Sequence, residues 1–210
     1  LALKAKAALS LSQFETFGGS YAIPQSSKLL KLRPGRLDAD ISLEPTFATV
    51  SNGRIQSGKS ILSVDGIFHY NTQRGMNLHF SSRQFHFASL GSVAGVPFRG
   101  SGDVAGSIEG SYGDPTISTT AELTNFAIYD YDLGTTKATL VYSDLVLDVP
   151  RVAIRRGEGT IKGSGNLDFR TKHLETAGNF DLENVPTGEL LDTIILATRD
   201  AKRFGGVVSG

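Results

Sequence analysis

From Arg155 to Leu182 the chain reads RRGEGTIKGSGNLDFRTKHLETAGNFDL, and apolar and polar residues alternate almost without a break. Ile161, Gly163, Gly165, Leu167 and Phe169 share one parity, while Lys162, Ser164, Asn166, Asp168 and Arg170 share the other. A period of two sends successive side chains to opposite faces of a strand, so this stretch has one oily face and one wet face. Lys172 and His173 mark a polar turn, after which Leu174, Thr176, Gly178, Phe180 and Leu182 resume the alternation. The pattern predicts a β-hairpin with glycines on its oily face. Glycine removes bulk there, where a sheet bends or another group comes close. A chain that repeats this hairpin builds a curved sheet around an apolar trough.

The remainder of the chain supports that reading. Leu1 to Leu11 alternates with Lys4, Lys6 and Ser10, as a strand does. Leu37 to Val50, broken near Pro45, and Gly53 to Asp65 read as further strands, followed by edges at Phe68–Tyr70, Met76–Phe80 and Phe85–Phe87. Phe98 to Gly110 is a glycine-laced strand, Asp114–Pro115 a turn, Ile117 to Tyr131 strand again, and Leu133–Gly134 a second turn. Two strand pieces follow around Ser143–Asp144. Helical turns are expected at Ser26 to Leu32 and at Ala88 to Val96, the latter weakened by Gly91 and Gly95. After Pro186, Leu190, Leu191, Ile194 and Ile195 recur at helical spacing behind Thr187 as N-cap, which predicts a short helix over 187–198.

The chain also matches itself at an offset of 99 residues (165 − 66): Ile41 meets Leu140, Val50 meets Val149, Ile55 meets Ile154, Gly66 meets Gly165 and Tyr70 meets Phe169. Phe204 to Gly210 echoes Phe98 to Gly106. The expected organisation is therefore the end of a preceding repeat or N-terminal strands over 1–36, a first β repeat over 37–135, a second over 136–198, and the start of another over 199–210. Long repeats of this kind mark architectures in which each unit buries its face against its neighbours. The lack of an initiator Met and the ending FGGVVSG read as a fragment of a longer protein, with no signal or spanning segment of its own.

Composition narrows the function classes. The 210 residues carry a formal net charge of +0, which argues against a nucleic-acid partner, since phosphates need a basic surface. No Cys is present, so a disulfide framework, a zinc knuckle and a thiol nucleophile are excluded. Gly53–Arg54–Ile55–Gln56–Ser57–Gly58–Lys59–Ser60 fits the phosphate-cradling pattern letter for letter. That chemistry needs a helix starting at the lysine, whereas ILSVDGIFHY follows, so a polar strand edge accounts for the match better. Gly100, Gly102 and Gly106 miss the dinucleotide spacing. His69 and His79 fall opposite the apolar residues, and with His86 and His173 they read as solvated rather than metal-bound. No acid, base and pocket gather, so no catalytic residue, metal or cofactor is assigned.

The apolar parity is the informative set. Ile61, Phe68, Tyr70, Met76, Leu78 and Phe80 are expected to line one concave face, joined by Val104, Ile108 and Leu123. Leu140, Tyr142, Leu147, Ile154, Ile161, Leu167, Phe169 and Phe180 continue it. Two architectures satisfy such alternation: an open trough, or a sandwich core sealed against a second sheet. With few helices to cover a long sheet, the trough is favoured. An apolar trough would accept acyl chains, each methylene leaving water contributing about 0.8 kcal/mol.

Three stretches carry a family resemblance: GSIEGSYGDPTISTTAELTNFAI (Gly106 to Ile128), LVLDVPRVAIRRGEGTIKGSGNLDF and ENVPTGELLDTI. Their order resembles that of the TamB/AsmA-like family of bacterial envelope proteins, over most of the chain from Leu37 onward. The resemblance implies a mostly β, elongated, strongly curved antiparallel sheet with a U-shaped, taco-like groove. It implies non-enzymatic transport of phospholipid along that groove between inner and outer membranes. It also implies a periplasmic location, an inner-membrane anchor outside this chain and an outer-membrane barrel partner. The rival reading, from another class, is a structural or adhesive β-repeat scaffold with a closed core.

Overall fold

A computed structural model of the chain describes residues 3–11, 14–17, 28–32, 35–89, 92–93, 97–128, 131–170 and 175–185. The predicted helix over 187–198, the turn at Lys172–His173 and the segment 199–210 lie outside the described residues. The strands in chain order are β1 (Leu3–Leu11), β2 (Phe14–Phe17), β3 (Lys28–Leu32), β4 (Gly35–Leu43), β5 (Phe47–Ser57), β6 (Ser60–His69) and β7 (Met76–His86). They continue as β8 (Ser92–Val93), β9 (Phe98–Ser111), β10 (Asp114–Ile128), β11 (Tyr131–Ser143), β12 (Val146–Arg156), β13 (Gly159–Asp168) and β14 (Glu175–Glu183). The protein is mostly β, as the alternation predicts.

Eleven of these strands form one antiparallel sheet in the order β1-β4-β5-β6-β7-β9-β10-β11-β12-β13-β14, and β2, β3 and β8 form a small second sheet. The large sheet is not closed: β1 and β14 are its edges. Most neighbours follow one another in sequence, because short turns such as Gly58–Lys59, Tyr112–Gly113, Asp144–Leu145 and Gly157–Glu158 join them. Gly58 and Gly157 both take positive φ, at 56° and 57°, as tight hairpin turns require.

Several local expectations are corrected. Ser26 to Leu32 holds no helical turn at its described end; Lys28–Leu32 is β3, paired with β2 and, through Leu30, with Val93. Five residues cannot nucleate a helix against available strand partners. Where the expected helix at Ala88 to Val96 is described, the chain forms a 3₁₀ turn, Phe87–Ser89, and then β8. Asp114 and Pro115 begin β10 rather than turn the chain, and Leu133–Gly134 is an irregularity within β11, where Gly134 faces Phe126.

The hairpins β5–β6 and β12–β13 have the same dimensions. β5 and β12 are both 11 residues, β6 and β13 both 10, and each begins 99 residues after its counterpart (146 − 47, 159 − 60). Both carry a register shift at the same place, between Val50 and Gly53 and between Val149 and Val152. Further shifts fall between Ser82 and Phe85 on β7 and after Leu123 on β10. An extra residue in one strand bends it and increases its twist. Asn52 and Asn125 occupy these sites with φ of 52° and 50°, a region Asn tolerates better than most residues.

Candidate functional site

Cross-strand partners point to the same side of a sheet, so the register assigns each residue to a face. One row runs Ala5, Ile41, Val50, Gly66, Leu78, Ile108, Ile117, Tyr142, Leu147, Leu167, Thr176, and crosses all eleven strands without a charge. On the other face lies Asp65, His79, Ser107, Ser118, Val141, Asp148, Asn166, Ala177. The sheet therefore has an apolar side and a polar side from edge to edge.

Most of the residues singled out from the sequence meet on the apolar side. Phe68 pairs with Met76, and Phe80 with Gly106. Val104 pairs with Ala121, Leu123 with Thr136, and Thr136 in turn with Ile154. Leu140 lies opposite Thr119, Ile154 opposite Ile161, and Phe180 opposite Gly163. Ile61 does not belong with them. It pairs with Gln56, one residue out of phase with Phe68 on an unbroken strand, and is 38% exposed on the polar side. A single step in a strand reverses the face, and that is the whole correction. Tyr70 and Phe169 lie just past the ends of β6 and β13. Tyr70 is 54% exposed and donates its backbone N–H to Thr46, while Phe169 donates its own to Leu145.

Glycines on this face seat aromatic rings. A Cβ added to Gly163 would lie 2.5 Å from Cδ1 of Phe180, and one on Gly178 would lie 2.7 Å from Cε2 of the same ring. One on Gly106 would lie 2.6 Å from Cζ of Phe80. Each ring lies across its neighbour strand in space that a side chain would fill. Phe85, Phe87, Phe98 and Phe126 form a second aromatic group at one end of β7, β9 and β10, with Phe85 and Phe87 edge-to-face at 5.2 Å and Phe98 and Phe126 stacked at 6.1 Å. Sequence reasoning missed this group, because its members come from three separate segments brought together by pairing.

Burial on the apolar side is shallow. Among the described residues the fully buried apolar side chains are Ala39, Leu78, Ala121, Leu123 and Ala127, and none is below 2% exposed. A core sealed between two sheets buries most of its large residues; here most of the row is half-buried, covered by its own neighbours. Ser82 and Thr136 also lie on this side with buried hydroxyls that find no partner among the described residues. Burial, and secondarily the charge of Asp114, raises the Tyr142 phenol above its ordinary value.

The polar side is organised by ion pairs. Lys137 meets Glu122 across β10 and β11 at 2.8 Å, and Arg36 meets Asp38 along β4 at 2.8 Å. Hydrogen bonds from Arg170 hold the Asp168 carboxyl below the ordinary carboxylate range. The phosphate-loop lookalike is structural. Gly58–Lys59 closes the β5–β6 hairpin and β6 follows, not a helix. Ser60 is 3% exposed; its Oγ accepts the His86 N–H at 2.8 Å and lies 3.0 Å from Ser89 Oγ, tying the 3₁₀ turn to the hairpin. His69 packs edge-on against Phe47, and His173 lies outside the described residues. No cluster of three metal-binding side chains occurs among the described residues.

The fold and this surface define a class: a mostly β protein whose eleven-stranded antiparallel sheet is not closed and has one apolar and one charged side. No family model, curated protein or solved structure matches the chain.

Proposed function

We propose that this chain is a segment of a non-enzymatic lipid carrier, in which acyl chains of phospholipid move along the apolar side of the large sheet. The observation that carries the reading is the uncharged row crossing all eleven strands with so little full burial among the described residues. Apolar surface left in that state gains about 25 cal/mol per Å² when a hydrocarbon covers it. A row with no charge from edge to edge gives a sliding chain no deep trap on its way.

In this reading the sheet curves into a U-shaped groove built from repeats. The register shifts support the curvature, since bulges bend strands, and the two equal hairpins 99 residues apart support the repeat. The resemblance to TamB/AsmA-like proteins supports a periplasmic location, an inner-membrane anchor elsewhere in the full protein, an outer-membrane barrel partner, and traffic between the two membranes.

Native mass spectrometry of detergent-free protein, with uptake of a fluorescent acyl chain, tests it. Wild-type protein retains lipid. Leu167→Asp, on the apolar side, reduces uptake severalfold, while Asn166→Asp, next to it on the polar side, leaves it unchanged at equal circular dichroism and melting temperature. Equal effects, or no lipid in the wild type, would favour a scaffold with a closed core.

A further inference from the structure

On the polar side, four cations surround one alanine. Lys137 on β11 and Lys162 on β13 stand directly opposite Ala153 of β12, one on each flank. Arg151 and Arg155 lie two residues before and after Ala153 on β12; Arg151 pairs with Thr139, and Arg155 with Thr135 and Thr160, all on that same side. Strand geometry sets the lysine Cα atoms about 5 Å and the arginine Cα atoms about 7 Å from that of Ala153. All four side chains are exposed, and each is long enough to bring its charged head over the Ala153 methyl group. Lys137 is held by Glu122 of β10 at 2.8 Å. Arg151, Arg155 and Lys162 make no ion pair among the described residues, although Asp181 lies opposite Lys162 on its far flank. No carboxylate stands inside the ring.

We propose that this ring binds a dianionic phosphate group seated on Ala153, either free or as the terminal phosphomonoester of a lipid headgroup. The site lies on the side away from the proposed acyl path and does not depend on the lipid-carrying reading. Like charges gathered this closely repel one another until an anion sits among them. A planar guanidinium matches two phosphate oxygens at once, and a lysine adds a compact point charge. The arginine Cα atoms are about 13 Å apart along the strand, so their forks reach the centre from opposite ends. A phosphate, with three terminal oxygens, can meet both and still accept from Lys162; a carboxylate, with two, cannot. The chain as a whole is neutral, so the surplus is local. The earlier hairpin lacks it: 99 residues before these five positions stand Asp38, Asn52, Arg54, Gln56 and Ser63, with one cation facing one carboxylate. The site therefore belongs to the second hairpin.

Thermal unfolding of the whole chain with inorganic phosphate, against sodium chloride at equal ionic strength, tests the site. Phosphate raises the wild-type melting temperature more than chloride does, because a ligand of the native state stabilises it. Arg151→Gln with Arg155→Gln weakens the apparent affinity about tenfold, the scale of one charge-assisted hydrogen-bond pair, while Arg54→Gln in the earlier hairpin leaves it unchanged. Ala153→Glu places a carboxylate where the phosphate sits, so it raises the melting temperature of the ligand-free protein and abolishes the response. Co-sedimentation with phosphatidylcholine vesicles, with and without phosphatidic acid, separates the two sources. Sedimentation that needs phosphatidic acid and is lost in Ala153→Glu assigns the phosphate to a lipid headgroup; a response to inorganic phosphate without it assigns a soluble one. If wild type responds to phosphate no more than to chloride and ignores phosphatidic acid, or if either variant of the ring responds as wild type does, the site is overturned.

Discussion

Phe180 shows how the apolar side is made at the level of single residues. Its ring is 43% exposed and yet lies against Gly163 and Gly178 closely enough to exclude a Cβ at either. The glycines give the ring a flat seat on the backbone, a pairing that recovers some of the packing a strand loses at glycine. The added Cβ at Gly163 would also strike the Asn179 carbonyl oxygen, which a shift of the ring cannot relieve. Gly163→Ala is therefore expected to destabilise the protein by about 1–3 kcal/mol, read as a lower urea midpoint. Phe180→Ala added to Gly163→Ala does not restore it, because the backbone clash remains. Full rescue by Phe180→Ala would mean that the ring alone demands the glycine.

Hairpins with bulges are the working elements. A bulge costs a ladder pairing and shifts the phase of the strand by one residue, so that the apolar parity continues on the same side only if the partner strand is counted across the shift. On β10 the phase passes from Leu123 to Phe126 through Asn125, whose φ is 50°. Left-handed backbone strains most residues by roughly 1–2 kcal/mol. Asn125→Gly is expected to be neutral within a few tenths of a kcal/mol, and Asn125→Val to destabilise by about 1–2 kcal/mol, both measured by chemical denaturation. Equal loss in the two would show that the Asn side chain, not the backbone, holds the bulge.

At the scale of the molecule, the large sheet has two contrasting sides and, among the described residues, two edges, β1 and β14. The edges carry charge on the polar side: Lys4 and Lys6 on β1, and Glu175, Asp181 and Glu183 on β14. Pairing of β14 with another β14 brings these carboxylates together, a safeguard against edge-to-edge association. An apolar side that is only half-buried predicts a small heat-capacity change on unfolding, since that quantity follows apolar area newly exposed to water. Calorimetry of lipid-free protein is expected to give less than the roughly 12–15 cal/mol/K per residue of compact domains. A value within the compact range would mean that the apolar side is sealed in the native protein.

Strand parity was legible from residues alone, because a period of two is a local property: the hairpins, the polar and apolar sides and most of the face from Phe68 to Phe180 follow from it. The sequence also matches itself at an offset of 99 residues, and two hairpins of equal strand lengths stand at that offset. Phase across strands was not legible. Phe85, Phe87, Phe98 and Phe126 converge only after pairing; Ile61, by contrast, is out of step with Phe68 on one strand, so parity alone already placed it on the other side. The sequence by itself determined which side of each strand is oily, since that depends on neighbours two residues away. Only the tertiary structure decided which strands pair and where the bulges shift the count, because those depend on hydrogen bonds between segments far apart in the chain.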